Sequence, residues 1–203
     1  RIRKQCRNII DKRGYFMRET NVEIKKGNDL SVQLMKEINK TFQKAFPGNE
    51  PVNIKNQKLF SKDIFFIVRD SKQKLLSIGR LRPVRIVFLK KVYNIQGIAD
   101  IVSVIEKKGH GRVLMSLIYE HLISNKQTGI GFCNRKNSPF YHKCGFKITK
   151  NLGGRFLYKN PKGKIIKNKG GEHLVLYLTG KDKFIEKVLA NPKEKVLIPC
   201  PHW

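Results

Sequence analysis

The sequence lacks long apolar runs. No run approaches the roughly 18 to 20 consecutive apolar residues that a membrane-spanning helix needs, and no apolar signal segment opens the chain. We therefore expect no membrane span. The chain begins at Arg1 rather than Met, which leaves open an N-terminal segment that is missing or was processed.

Cysteine is also scarce. The 203 residues include four cysteines, Cys6, Cys133, Cys144 and Cys200, and no C-x-x-C pair. This is not a disulfide-dense small protein, so we expect a reduced, cytoplasmic setting. A zinc site from Cys133, His142 and Cys144 would match no common zinc spacing, and we predict no metal.

Acidic residues are few, and this shortage gives the chain a strong positive charge. There are 43 Lys and Arg against 15 Asp and Glu, for a net charge of +28. Such a surface attracts polyanions such as nucleic acid, anionic lipid or phosphorylated cofactors. No Asp or Glu occurs from His121 through Gly171. A lysine-rich bias on a solvated surface explains the same counts, so charge alone leaves both interpretations open.

The length predicts one domain with flanking segments. We expect a basic N-terminal segment at 1–20, a domain at 21–180 and a basic C-terminal tail at 181–203. The first segment is predicted as an arm or a short helix. The last is predicted as a helix followed by an extended stretch.

Helical periodicity is clearest in two places. Apolar residues recur at helical spacing over 30–46, with Asn28 and Asp29 as candidate N-caps and Pro47-Gly48 after the end. A second amphipathic helix is predicted over 113–122. Shorter helices are expected near 53–61 and in "SPFYHKCGF".

Strand patterns fill most of the remaining chain. The candidate strands are Val22–Ile24, "DIFFIVRD", "LLSIGRLRPVRIVFL", "YNIQGIADIVSVI", "TGIGFCN", "RFLYKN" and "EHLVLYL". Pro83 suggests a bulge or break in the third, and 160–171 is predicted to be a loop. "EHLVLYL" also offers pairing between subunits, and hence a homodimer. The order of elements predicts a single α/β domain with a mixed sheet.

The stretch "EKKGHGRVLM", Glu106–Met115, links a predicted strand to a predicted helix. Glycines let the backbone approach a ligand closely, and a helix N-terminus favours phosphate. A simple loop is the alternative. The stretch matches neither a P-loop nor the dinucleotide fingerprint, whose third glycine would fall at Leu114.

This turn resembles the acyl-coenzyme A pyrophosphate loop of the Gcn5-related N-acetyltransferase superfamily, whose pattern is [QR]-x-x-G-x-[GA]. Two registers fit. One uses Glu106, Gly109 and Gly111, with Glu in place of Gln or Arg. The other, which we prefer, reads "KGHGRV" from Lys108 to Val113 and loses the last small residue.

A second motif strengthens the resemblance. "NRKNSPFYHKCGF", Asn134–Phe146, is similar to the family's N-x-x-A-x-x-[FL]-Y-x-K-x-G-F, with Asn137 departing from the Ala. It follows the glycine turn by one helix and one strand, as in the family. The resemblance covers roughly 20–180.

The resemblance implies a mostly antiparallel mixed sheet with splayed central strands, flanked by helices, and acetyl-CoA as acyl donor. Pantetheine would lie along the strand before the turn, and the phosphates would bind to the backbone amides of the turn itself. The implied cofactor residues are Ile101, Val102, Ser103, Val104, Lys108, Gly109, His110, Gly111, Arg112, Val113, Asn134, Asn137, Tyr141 and Lys143.

The resemblance also suggests catalytic roles. Tyr141 matches the tyrosine that protonates the leaving thiolate, although it would also pack on CoA in a purely binding role. Asp100, on the strand before the turn, is the predicted general base or else a structural carboxylate. Glu106 and His110 are weaker candidates for the base. His121, His142 and a small apolar Cys133 are predicted to be structural.

The implied activity is acetyl-CoA-dependent N-acetyltransfer by direct attack of a primary amine. The acceptor is a small molecule, a peptide N-terminus or a lysine, and the net charge of +28 suits a polycationic drug poorly. A nucleic-acid-linked acceptor, such as a charged transfer RNA, suits that charge better. Two other interpretations stay open, a nonenzymatic nucleic-acid-binding module and a degenerate CoA-binding sensor.

Overall fold

A computed structural model describes residues 2–6, 20–160, 162–167 and 174–200. They fall into two compact units. Unit 1 comprises Arg1–Leu81 with Asp100–Leu117, and unit 2 comprises Arg82–Ala99 with Ile118–Trp203. Within the described part of the chain, no helix has the length and apolar character that a membrane crossing needs. Most of the predicted N-terminal arm lies outside the described residues.

Helices and strands are interspersed along the chain, and three of these elements contribute residues to both units. Those three are β4 (Leu75–Phe88), β5 (Lys91–Ser103) and α3 (His110–Ser124). Unit 1 also contains β1 (Ile2–Cys6), β2 (Thr20–Lys26), α1 (Val32–Ala45), α2 (Gln57–Phe60) and β3 (Ile64–Arg69). Unit 2 also contains β6 (Gly129–Cys133), α4 (Ser138–Lys143), β7 (Lys147–Thr149), β8 (Phe156–Lys159), β9 (Ile165–Lys167), β10 (Leu174–Leu178), α5 (Phe184–Ala190) and β11 (Val196–Ile198).

Unit 1 is an antiparallel meander covered by α1. Strands β1 to β4 follow one another in sequence order, and β3 is buried along nearly its whole length. One face of α1 packs into this core through Leu34, Met35, Ile38 and Phe42, so the predicted periodicity is confirmed.

The N-cap of α1 is Ser31, not Asn28 or Asp29. The Ser31 Oγ accepts a hydrogen bond from the Leu34 amide at 3.2 Å. Asn28 and Asp29 lie in a short 3₁₀ turn, Gly27–Asp29, that precedes the helix. The capping prediction was therefore wrong because a second local turn separates those residues from the helix.

Unit 2 contains both parallel and antiparallel ladders. Strand β6 pairs parallel with β5 and antiparallel with β10, and β10 pairs antiparallel with β7. Strand β11 pairs parallel with β8 and antiparallel with β4. The predicted mixed sheet is confirmed.

The ladder between β5 and β6 is short. It joins Gln96 to Gly129 and Gly97 to Ile130. Among the described residues of unit 2, no further pair joins these strands, although β5 continues through Ala99 and β6 through Cys133. The β5–β6 ladder is therefore confined to the first residues of β6 within the described part of unit 2.

Strand β4 runs unbroken through Pro83, contrary to the predicted break. Pro83 is exposed and lies where burial alternates along the strand. A proline is tolerated in a strand where its missing N–H leaves no buried partner unsatisfied.

The described part of the predicted C-terminal tail, 181–200, contributes to the core of unit 2. Its buried residues are Phe184, Ile185, Val188, Val196 and Ile198. Strand β10 is paired on both sides within the chain. The stretch that suggested pairing between subunits is therefore not an open edge.

Candidate active site

The glycine turn connects the end of β5 to α3. The Val104 amide donates to the Leu76 carbonyl at 2.9 Å, which holds the strand end against β4. Lys107 and Gly109 then take positive φ values of 59° and 82°. This left-handed region suits glycine and strains most other residues. The turn therefore reverses the chain over a few exposed residues before the helix begins at His110.

The first turn of α3 presents backbone amides to solvent. The initial amides of a helix have no intrahelical acceptor, and the helix dipole adds positive potential there. The Arg112 and Val113 amides donate to the Gly109 carbonyl at 2.9 and 3.3 Å. The geometry therefore favours Gly109, His110 and Gly111 as phosphate donors.

Val113 differs from its predicted role in the phosphate loop. Its amide is engaged with the Gly109 carbonyl, and its side chain is only 4% exposed. A buried position explains why this chain carries an apolar residue where the family pattern has a small one. Lys108 is exposed, and Arg112 is partly buried beside the same turn.

His110 is fixed at the base of the turn. Its carbonyl accepts a hydrogen bond from the Ser77 Oγ at 3.0 Å. Its Nδ1 atom is buried and has no hydrogen-bond partner among the described residues. Burial lowers the pKa of His110, Asp70 opposes this shift, and Lys108 adds to it. Burial therefore favours the neutral form of the His110 ring.

Asp100 lies immediately before the predicted pantetheine strand, Ile101–Val104. Its φ is 49°, unusual for a residue within a strand. The Arg80 guanidinium donates to its carboxylate at 2.6 Å and to that of Asp63 at 2.9 Å. These side chains are 8%, 10% and 3% exposed for Asp100, Arg80 and Asp63. The three form a buried ionic triad.

Two aromatic rings lie near the Arg80 guanidinium. The Arg80 guanidinium carbon lies 6.0 Å from the centre of the Phe42 ring and 5.9 Å from that of Phe65. The Asn49 side-chain amide approaches the Asp100 carboxylate at 3.4 Å. Removing one partner of a buried ion pair is strongly destabilising, so the geometry favours a structural role for Asp100.

The tyrosine motif belongs to unit 2, and several of its residues have backbone roles. The Asn134 Oδ1 accepts from the Asn137 amide at 2.9 Å and starts the turn into α4. Gly145 follows α4 and has a φ of 93°. Phe146, 1% exposed, packs edge to face on Tyr119 with ring centres 5.5 Å apart.

Tyr141 lies in the middle of α4. Its ring contacts that of Phe140, with centres 5.1 Å apart, and its side chain is partly exposed. Asn137 and Lys143 are exposed. Asn134, Gly145 and Phe146 therefore have structural roles, and the exposed side chains of Asn137 and Lys143 lie on the same short segment as Tyr141.

The remaining candidates are Cys133 and the two histidines that were predicted to be structural. Cys133 is 4% exposed in the core of unit 2, His121 is half-buried and His142 is exposed. Burial lowers the pKa of His121. Among the described residues, no group of three or more His, Cys, Asp or Glu side chains could hold a metal ion.

Sequence reasoning missed Arg80 and Asp63. Arg80 is a lone cation within the apolar stretch "LLSIGRL", and a buried cation requires a partner. That pattern indicates an ion pair but does not identify Asp63 or Asp100 as the partner, because the pairing depends on strand register.

Several solved structures share this fold. The acyl-CoA N-acyltransferase from Pseudomonas aeruginosa aligns over 77% of this chain and 96% of its own, with 13% identity and a TM-score of 0.52. The catalytic domain of the Gcn5 histone acetyltransferase from Tetrahymena, solved in complex with coenzyme A, aligns over 77% and 91%, with 17% identity and a TM-score of 0.50. The chain therefore has the fold of the Gcn5-related N-acetyltransferases, as its two motifs predicted.

The similarity does not extend to recognisable sequence relationship. A protein from Enterococcus faecalis aligns at 21% identity and a TM-score of 0.48, and this chain spans 32% of that longer protein. Comparison with protein-family models and with curated protein sequences finds no match.

Proposed function

We propose that this protein is an acetyl-CoA-dependent N-acetyltransferase that acts on a primary amine in a ternary complex. The observation that carries the proposal is the glycine turn at Gly109, which leads from the end of β5 into the N-terminus of α3. This turn offers amides, a helix dipole and cations together, which is the chemistry that a pyrophosphate requires.

Binding of the donor is assigned mainly to unit 1. The amides of Gly109, His110 and Gly111 hold the phosphates, and Lys108 and Arg112 add positive charge. Interaction of an anion with a helix N-terminus contributes typically 0.3–1 kcal/mol, and up to about 2 kcal/mol where the site is partly buried. The backbone of 101–104 makes strand-like hydrogen bonds to pantetheine. In unit 2, Asn137 and Lys143 are proposed as further cofactor ligands.

Asp100 is proposed as a positioning residue. Its ion pair with Arg80 holds the left-handed conformation at the start of Ile101–Val104. That conformation sets the direction in which the following peptide groups point. The residue would therefore act on donor binding through the backbone rather than by taking a proton from the amine.

Tyr141 is proposed as the general acid. The neutral amine attacks the thioester carbonyl, a C–N bond forms, and the C–S bond breaks to release a thiolate. The Tyr141 phenol donates its proton to that sulfur. A phenol has a reference pKa of about 10, which suits it to protonate a thiolate. The proton of the amine passes to solvent water, because the ion pair engages Asp100.

Calorimetric titration with acetyl-CoA in moderate salt tests the proposal. We expect micromolar affinity for the unaltered protein and loss of binding in Gly111→Glu, which places a carboxylate among the phosphate donors. Circular dichroism of both proteins checks that the variant is folded. An absence of binding by the folded, unaltered protein would refute the proposal.

A screen of primary amines, with release of the CoA thiol as the readout, then defines the acceptor. Donor binding without transfer to any small amine, peptide N-terminus or lysine would favour the CoA-binding sensor. Transfer to one class with little transfer to the others would identify the acceptor class.

A further inference from the structure

The positive charge is unevenly distributed between the two units. The described residues of unit 1 carry 17 Lys and Arg against 8 Asp and Glu, whereas those of unit 2 carry 20 against 4. A uniform lysine bias would raise both units in the same proportion. The excess therefore belongs mainly to unit 2.

Four of the eight acidic residues described in unit 1 neutralise two arginines of that unit. Arg69 pairs with Glu23 and Glu37, and Arg80 pairs with Asp63 and Asp100. In unit 2, the Asp182 carboxylate accepts hydrogen bonds from the Thr128 hydroxyl at 2.7 Å and the Phe184 amide at 2.8 Å. That carboxylate is thus used within the fold.

The longest acid-free stretch includes one continuous helix–turn–strand segment. From His121 through Gly171 there are 12 Lys and Arg and no Asp or Glu. Within it, α4 packs against β7. Four exposed cations flank these two elements: Arg135 and Lys136 precede α4, Lys147 starts β7 and Lys150 follows it. We call these four residues the α4–β7 surface.

We propose that the α4–β7 surface binds the phosphate backbone of a nucleic acid. One strand of a duplex carries a phosphate about every 3.4 Å along its axis, and the four cations beside α4 and β7 offer up to four phosphate contacts. The surface would recognise the charge and spacing of the phosphates, so binding should not depend on the base sequence.

A nucleic acid fits this surface better than an acidic protein does. Protein interfaces are enriched in aromatic anchors at their centres. The four residues of the α4–β7 surface are all cations, and the two aromatic rings of α4, Phe140 and Tyr141, pack on each other. A group of cations without apolar anchors is the pattern expected for phosphate contacts.

The test measures binding of a fluorescein-labelled 20-base-pair DNA duplex of arbitrary sequence by anisotropy, between about 50 and 200 mM NaCl. Four phosphate contacts predict that the affinity falls by about a hundredfold over this range. The triple variant Lys136→Glu, Lys147→Glu, Lys150→Glu should bind at least tenfold more weakly. Its slope of log affinity against log salt should be shallower by roughly two to three.

A matched variant controls for net charge. Lys36→Glu, Lys40→Glu, Lys44→Glu alters three exposed lysines of α1 and changes the net charge by the same amount. We expect its affinity to stay within about threefold of the unaltered protein. A triple Lys→Gln variant of the α4–β7 lysines repeats the test with a milder change, and urea unfolding verifies that every variant is folded.

Four outcomes would overturn the proposal: no binding, equal weakening by both triple variants, equal affinity for poly-glutamate at the same salt, or displacement of the duplex by stoichiometric CoA. Equal affinity for poly-glutamate would indicate an acidic protein partner. Displacement by CoA would assign the surface to the donor's own phosphates. The assay requires no acetyl transfer, so its failure is distinguishable from failure of the proposed enzyme activity.

Discussion

The Arg80 guanidinium lies 2.6 Å from the Asp100 carboxylate, at the residue where β5 takes a φ of 49°. A left-handed conformation carries a cost for residues other than glycine, and this cost is smallest for Asn and Asp. A buried carboxylate is unfavourable without a partner. The ion pair offsets both costs at one position, directly before the backbone assigned to pantetheine.

The first prediction separates a positioning role of Asp100 from a role as the base. Asp100→Asn keeps a hydrogen-bond acceptor for Arg80, and Asn tolerates positive φ. We expect its kcat to stay within about tenfold of the unaltered value, since a lost catalytic proton transfer would cost about 10² to 10⁴. If the kcat of a folded Asp100→Asn variant falls by that larger factor, Asp100 acts as the general base and the positioning role is wrong.

Asp100→Leu provides the contrasting change. It removes one partner of a buried pair, which costs about 3–5 kcal/mol of unfolding free energy, and it places a bulkier side chain at positive φ. We expect weaker acetyl-CoA binding together with lower stability. Urea unfolding and calorimetry on the same preparation measure both quantities.

The second prediction concerns backbone conformation in the glycine turn. Gly109 and Gly48 have φ of 82° and 91°, and a Cβ added to either meets nothing within 4 Å. Alanine at each position should therefore cost a similar 1–2 kcal/mol of stability from backbone strain. Only Gly109→Ala should weaken acetyl-CoA binding. If the altered backbone of the turn loses one hydrogen bond to the phosphates, the affinity should fall by about tenfold.

Gly48→Ala is the matched control, because Gly48 follows α1, away from the turn in sequence. Equal loss of acetyl-CoA affinity in both variants would show that general destabilisation, rather than the geometry of the turn, causes the effect. Calorimetry at a temperature where both variants are fully folded decides between these results.

The third prediction tests the general acid. Tyr141→Phe keeps the ring contact with Phe140 and removes the hydroxyl group that carries the proton. We expect kcat to fall by about 10² to 10⁴ with little change in KM for acetyl-CoA. Tyr119→Phe keeps the contact with Phe146 and should leave kcat unchanged. Rates for an acceptor found in the amine screen test both variants, and equal rates for Tyr141→Phe and the unaltered protein would remove the acid role.

The fourth prediction follows from the lowered pKa of His110. Burial holds its folded pKa below the value of about 6.5 in the unfolded chain. Between these two values the unfolded state binds more protons, so stability rises with pH across that window. Above the unfolded pKa this contribution no longer changes with pH.

His110→Gln should therefore flatten part of the loss of stability between about pH 7.5 and 5.5. Urea unfolding across this range measures the effect, and His142→Gln at an exposed position is the control. Half-buried His121 has a pKa lowered by burial as well, so some pH dependence should persist in the variant. An unchanged slope in His110→Gln would contradict the prediction.

The sequence predicted the elements that carry a strong local pattern. The helix at 30–46, the buried β3 and the two motifs depend on periodicity and on glycines at fixed positions, which are local signals. The three-residue strands β7 and β9 were missed, because their pairing comes from partners distant in the chain. Residues 181–200 were predicted to be a basic tail because of their lysines, although five of them are buried in the core of unit 2.

The candidate site was predictable in part. The glycine turn and Tyr141 follow from motif spacing. The engagement of Asp100 by Arg80 depends on which residues of β4 and β5 lie side by side, and a shift of one residue would turn each side chain to the other face. No local pattern in a single sequence specifies that register.

Units 1 and 2 are each assembled from separated stretches of the chain. Val84, Ile86, Tyr93 and Ile95 belong to the same core as Val175 and Phe184. A gene fragment beginning at residue 118 would therefore encode unit 2 without β4 and β5, two strands that contribute to its core. A fragment ending at residue 81 would encode unit 1 without the helix that follows the glycine turn. Any tag, split reporter or shortened clone should keep the open reading frame continuous from β2 through β11.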